Sequence, residues 1–217
     1  MKLNSKHIYL FFTVFILLYG LWKFLNRKLL KNPSCVYRKY LAITANDTIK
    51  NPCAFTAGHV LYYSSSNNRK TQYDILFQIR YDGYLGFVGG SQQTGENMLQ
   101  CLKREIFEEL TRSRKFVPNL KDVFKIYFEK KSKFCDHLFT KEINNSELQE
   151  LAFDAHKSPA FGTEIMGFYI LKVDVNKSEN LTYIFNMPMI GNTLQQLIEF
   201  FNAKRLIRND KLNSYCN

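Results

Sequence analysis

Three glutamates, Glu105, Glu108 and Glu109, carry the strongest chemical signal in this chain. They follow Gly89-Gly90, Glu96 and Arg104, with five residues between Gly90 and Glu96 and seven between Glu96 and Arg104. From Asn97 to Leu110 the apolar residues Leu99, Leu102, Ile106 and Leu110 recur at three- and four-residue steps, which predicts a helix with one buried face. On that helix the three glutamates, at i, i+3 and i+4, gather on one side. Like charges this close repel, and acids are favoured at a helix N-terminus, whereas these lie in the last two turns. A bound dication cancels both penalties. Hard cations such as Mg2+ or Mn2+ match carboxylates and bridging phosphates. Arg104 can pair with one carboxylate and hold its rotamer, and Gly89 and Gly90 let backbone approach the metal and phosphate. The alternative is a solvated acidic helix face after a glycine turn.

The spacing from Gly90 through Glu96 to Arg104-Glu105-Ile106-Phe107-Glu108-Glu109 resembles the Nudix box. The resemblance implies a hydrolase that cleaves nucleoside diphosphates linked to another group. It makes Glu105, Glu108, Glu109 and the Gly89 carbonyl the metal ligands, and the three glutamates the catalytic residues. Gly58-His59-Val60-Leu61-Tyr62, the run Ile75–Phe87 and Met189-Ile190-Gly191-Asn192 resemble the snoRNA-decapping branch of that family, over most of Tyr37 to Leu206. The branch implies that His59, Arg80, Phe87 and Gln196 bind the nucleotide. Arg can fork onto phosphate, Phe can stack on a base and Gln can read a purine edge. Without the resemblance, His59 and Phe87 would be core residues, Arg80 a surface pair and Gln196 a solvated helix position.

This sequence also departs from the family pattern. Thr111 and Arg112 stand where the box ends in glycine and an aliphatic residue, and Val88 stands where proline is usual. Tyr127 occupies the place of a histidine near the metal, with Glu129, Glu164 and His156 as candidate substitutes.

The net charge of +11 divides unevenly. Residues 1–50 hold nine Lys/Arg against Asp47 alone, while residues 51–217 hold 21 basic and 18 acidic residues. The basic excess therefore belongs mostly to the N-terminus. Residues 112–133 carry a local basic cluster interleaved with Phe116, Phe124, Tyr127 and Phe128, readable as an RNA surface or as a solvated strand whose aromatics face the core. Five cysteines without a Cys-x-x-Cys pair indicate neither a disulfide framework nor a zinc site, so reduced, packed thiols are the default. Cys101 lies one turn before Glu105, where core packing is the expected role.

Ile8 to Trp22 is uncharged and rich in Phe, Leu and Ile. With Lys23 snorkelling, the run to Leu25 spans about 27 Å at 1.5 Å per residue, close to a bilayer core. No small-residue cleavage site follows, which predicts an uncleaved single-pass anchor. Lys23, Arg27, Lys28 and Lys31 outweigh Lys2 and Lys6, so the C-terminal domain is expected in the cytosol. Sequons at Asn46, Asn144 and Asn180 count weakly for the opposite side.

Apolar runs predict strands at His59–Ser64, Tyr73–Arg80, Val123–Glu129, Phe134–Ile143 and Thr163–Val173. Further helices are predicted near Ser146–Ala155 and Asn192–Arg208. The expected class is α/β, a Nudix α/β/α sandwich with an N-terminal transmembrane helix. Residues 1–31 form the anchor, 32–50 a linker and 51–217 the catalytic domain. The resemblance implies a metal-dependent pyrophosphohydrolase acting on capped RNA, on purine nucleoside di- and triphosphates, or on both. The rival is a non-catalytic RNA-binding or scaffold protein on the same fold. The partners are then the nucleotide or 5′-capped RNA and, through the anchor, a membrane; a homodimer is left open.

Overall fold

The computed structural model describes residues 41–43, 53–65, 71–110, 114–174 and 176–206. The uncharged run Ile8–Trp22, most of the linker, and Thr111 and Arg112 lie outside them. Among the described residues no helix is long and apolar enough to cross a membrane.

Eight strands form one mixed sheet: β1 (Leu41–Ile43), β2 (Phe55–Ser65), β3 (Gln72–Arg80), β4 (Leu85–Gly86), β5 (Val88–Ser91), β6 (Val123–Glu129), β7 (Phe134–Glu142) and β8 (Ile165–Asp174). The main path runs β1-β6-β7-β2-β3-β4, with β5 on β2 and β8 on β3. β2 and β7 pair in parallel; the other pairings are antiparallel. β2 changes partner along its length. Its second half pairs with β3 from Tyr63, while its first half takes β5, with Gly58 opposite Gly90 and His59 opposite Gly89. This split in the sheet is where the box turn enters.

Period-two burial on β2 explains the layers. Val60 and Tyr62 face one side with Leu76, Val88 and Phe139, where α1 (Met98–Glu109) packs Leu102 and Ile106 and α2 (Asn145–Phe153) packs Leu148 and Leu151. Leu61 and Tyr63 face the other side with Ile75, Phe77 and Leu171. There α3 (Ser178–Phe185) packs Leu181 and Ile184, and α4 (Thr193–Ala203) packs Leu197, Ile198, Phe200 and Phe201. Asn97 caps α1 and shares a capping box with Gln100; Asn144 does the same for α2 with Glu147.

Two sequence expectations are corrected, and α3 stands where no element was expected: Tyr183, Ile184 and Phe185 suit a strand by propensity, yet the helix buries Ile184 and Phe185 in α4's layer and leaves Tyr183 exposed. The last helix stops at Ala203, where Arg205 at φ 56° turns the chain left-handed and Leu206 N–H closes on the Phe201 carbonyl at 2.8 Å. Cys53 and Cys135 are joined in a disulfide, tying the approach to β2 onto β7, while Cys101 is free and buried. Cys35 and Cys216 lie outside the described residues.

Ile106 is fully buried beneath the box helix. Ile106→Ala should lower unfolding stability by about 2–5 kcal/mol in urea melts, as core truncations do. A loss under about 1 kcal/mol would show that α1 is not anchored as described.

Candidate active site

The box turn and the box helix meet through the absence of side chains. Gly89 has φ 138°, and a Cβ there would stand 2.0 Å from the Gly58 carbonyl oxygen. A Cβ on Gly90 would stand 2.5 Å from a Glu105 carboxylate oxygen. Gly89 is therefore obligatory, for its backbone conformation and the neighbouring carbonyl, while any side chain on Gly90 would push the Glu105 carboxylate out of its place. Glu105 and Glu109, at 8% and 5% exposure, lie in the space so made.

Each buried carboxylate is held. Gln78 Nε2 donates to Glu109 Oε1 at 2.6 Å, and Gly89 N–H donates to Glu109 Oε2 at 2.8 Å. Arg104 donates to Glu105 at 2.7 Å, to Glu108 at 3.1 Å and to Glu96 at 2.8 and 3.1 Å, and also to the Ser91 carbonyl at 3.0 Å. Its pairing with Glu96 is the main cause of a guanidinium pKa above even the usual arginine value. Glu108 is the most open of the three glutamates, its side chain 47% exposed.

Burial dominates the electrostatics. It pushes the Glu105 carboxyl up, against the pull of Arg104, and pushes Glu109 up to about 7 despite its two hydrogen bonds. A pair of desolvated, mutually repelling carboxylates is a donor set suited to a hard dication. In the present arrangement no group of three His, Cys, Asp or Glu side chains among the described residues surrounds one metal position. Arg104 holds Glu105 and Glu108 in that arrangement. Cys101 borders this space, its Sγ 3.6 Å from the Gly90 carbonyl oxygen, and burial pushes its thiol up to about 11, where it is unreactive.

The helix end lacking the family glycine is closed by a different segment. The Glu108 carbonyl accepts from the Ser158 hydroxyl at 2.6 Å and from Ala160 N–H at 3.0 Å. The segment 158–164 is thereby drawn against α1. Its Glu164 is the one candidate for the missing histidine whose charge contributes to the upward shift of Glu105. Glu129 instead receives a hydrogen bond from Ser132 at the β6–β7 turn, and His156 is exposed beside the Phe153 carbonyl. Tyr127 is fully buried, with its hydroxyl 3.4 Å from Glu199, and belongs to the core.

On the opposite sheet face His59 and Gln196 are brought together by Asp136, which bonds to both at 2.7 Å. Burial would lower the His59 pKa; Asp136, Glu109 and Glu105 outweigh it, and the net shift is upward. Arg80 stands apart at the end of β3, forked onto Asp82 and partly exposed. Phe87 is 2% exposed and stacked on Phe77 at 5.2 Å, so in this conformation it has no free face for a base. Gln196 is buried, not a solvated helix position. The aromatics of residues 112–133 also turn inward: Phe116, Tyr127 and Phe128 are buried and Phe124 packs on the core. Two polar residues of the site escaped the sequence reading, Gln78 and Asp136. Their signal was an amide within the apolar run Ile75–Ile79 and an acid that, with His137, interrupts Phe134–Phe139.

A family model described as "Nudt16-like: U8 snoRNA-decapping enzyme-like" matches residues 56–207. The chain belongs to this Nudix family. Nudt16-like relatives include the U8 snoRNA-decapping enzyme of Homalodisca vitripennis, 32% identical over 119 residues, which are 51% of this chain and 63% of the relative. That of Xenopus laevis is 30% identical over 146 residues, 64% of this chain and 68% of the relative. The first match thus spans less than two thirds of the relative's length. A solved mutT/nudix family protein from Listeria innocua is also similar, with 15% identity and a TM-score of 0.46 over 70% of this chain and 94% of that one.

The raised Glu109 pKa has a thermodynamic consequence. An acid whose folded pKa of about 7 exceeds the ordinary 4.5 holds its proton longer in the folded state. Folding then binds protons between those values, and stability falls as pH rises through that window. In EDTA, thermal unfolding should show a loss of up to about 3 kcal/mol from pH 4.5 to 7.5, at about 1.4 kcal/mol per unit. Glu109→Gln should flatten the slope. A wild-type slope of the opposite sign would contradict the assignment.

Proposed function

We propose that the chain is a divalent-metal-dependent hydrolase of a phosphoanhydride bond. The observation that carries this reading is the pair Glu105 and Glu109, buried against a glycine turn in which Gly89 tolerates no side chain, with Glu109 pushed up to about 7. Mg2+ or Mn2+ would be held by Glu105, Glu109 and the Gly89 carbonyl, with Glu108 serving a further ion or helping to activate water. When bound, such an ion offsets pyrophosphate charge and lowers the pKa of a coordinated water. Arg104 and Gln78 fix the carboxylate rotamers, and Gly89 N–H orients Glu109. Glu164 is the candidate for holding or moving a proton beside Glu105. His59 and Gln196 hold the nucleotide, Arg80 reaches phosphate once it leaves Asp82, and Phe87 serves the core.

The snoRNA-decapping activity of the relatives supports 5′-capped RNA as substrate. Free purine nucleoside di- and triphosphates are the second class. Glu109→Gln should abolish turnover of both capped RNA and inosine diphosphate with Mg2+ or Mn2+, while circular dichroism stays native. A variant with the wild-type rate would contradict the mechanism. No turnover by the wild type, with metal titrated, would favour the scaffold reading.

We further infer that residues 1–31 tether this domain (residues 51–217, after the linker 32–50) to a membrane. The flanking charge favours the cytosolic side. The Cys53–Cys135 disulfide favours the opposite reading, since such bonds persist in oxidising compartments. Protease added outside sealed microsomes should digest the domain and find Asn144 without glycan. A protected, glycosylated domain would reverse the orientation, and release of the intact chain by alkaline carbonate would rule out the anchor.

A further inference from the structure

A single buried carboxylate joins the two residues assigned to the nucleotide from different elements. Asp136 on β7 is 1% exposed, Gln196 on α4 is equally buried, and the His59 side chain on β2 keeps 25% exposure. Asp136 uses both oxygens: Oδ1 meets His59 Nδ1 and Oδ2 accepts from Gln196 Nε2, each at 2.7 Å. An isolated carboxylate at this depth would be strongly disfavoured, and an aliphatic side chain on the face that Asp136 shares with Leu138 would satisfy packing alone. The carboxylate therefore does something that packing does not require.

Its chemistry decides the orientation of both partners. A carboxylate only accepts, so His59 carries a proton on Nδ1, and Nε2 is the ring nitrogen left for another contact. The Gln196 amide likewise turns its NH2 to Asp136, which leaves its carbonyl oxygen as the group free for another contact. The same carboxylate fixes the spacing between the strand and the helix. The segment Pro188–Ile190 docks on β4 through the Leu85 N–H and carbonyl, at 2.8 and 2.9 Å, and so delivers the start of α4 to this position. Rotamers locked in this way lower the entropy cost of binding.

We propose that Asp136 is a positioning residue that presets His59 and Gln196 for a purine nucleotide. The proposal rests on the nucleotide-binding reading above and adds a residue that the box and its spacing do not contain. It acts through its two partners and touches no reacting atom.

The test separates binding from turnover. In EDTA, where hydrolysis stops, calorimetry with inosine diphosphate should give a dissociation constant about tenfold higher for Asp136→Asn than for the wild type, the size of one impaired buried hydrogen bond. With Mn2+ the same variant should raise KM by a similar factor and move kcat far less. In a His59→Ala/Gln196→Ala background, adding Asp136→Asn should change neither value. Asp136→Asn keeps the shape of the side chain, and its melting temperature serves as the control for folding. Unchanged affinity in a folded variant would overturn the proposal, as would an equal loss in the double-variant background. Intact nucleotide binding with no wild-type turnover would instead sink the hydrolase reading alone. Absence of nucleotide binding by the wild type would sink both.

Discussion

Everything at this site depends on one constraint, the close approach of α1 to the rung between β2 and β5. Gly58 and Gly90 face each other there, and a side chain on either would displace its neighbour: a Cβ on Gly58 would lie 2.4 Å from the Met98 sulfur, and one on Gly90 2.5 Å from Glu105. Gly89 adds a backbone conformation closed to other residues. Because the turn is bare, the helix can press its carboxylates onto the backbone. Because they are pressed there, they lose water, and their pKa values rise. The fold thus sets up an electrostatic demand that a dication can meet.

Protein groups meet that demand in part. Arg104 spans Glu96, Glu105 and Glu108, while Gln78 and the Gly89 amide serve Glu109. These contacts hold the acids in place without neutralising the buried pair, a reservoir of strain of the sort that functional sites retain. A second polar centre, His59–Asp136–Gln196, lies across the sheet, near enough for Glu105 and Glu109 to raise the His59 pKa. The buried glutamates and the His59–Asp136–Gln196 centre therefore adjoin where β2 leaves β3 for β5.

Local features of this arrangement were legible in the sequence, and distant pairings were not. The box helix was foretold from Asn97 to Leu110 and runs from Met98 to Glu109, since its periodicity and cap are properties of neighbours. Strand β6 has the predicted limits for the same reason. Gln78 and Asp136 read as interruptions because their partners lie on other elements, 31 and 60 residues away. The Cys53–Cys135 bond spans 82 residues, and no spacing rule announces it. Phe87 could be base platform or core from sequence, and the stack on Phe77 is a tertiary fact. The basic cluster at residues 112–133 could be an RNA surface or a strand with core-facing aromatics from sequence, and its aromatics pack inward.

The central claim is that Glu109 is a buried acid that must ionise to hold a dication. Calorimetric titration of Mn2+ at pH 6.5, in buffers of different ionisation enthalpy, measures this directly through the number of protons released. The account predicts release of more than half a proton per bound ion in the wild type, from a group of pKa about 7, and both weaker binding and no release in Glu109→Gln. Tight Mn2+ binding without proton release, unchanged in that variant, would contradict it.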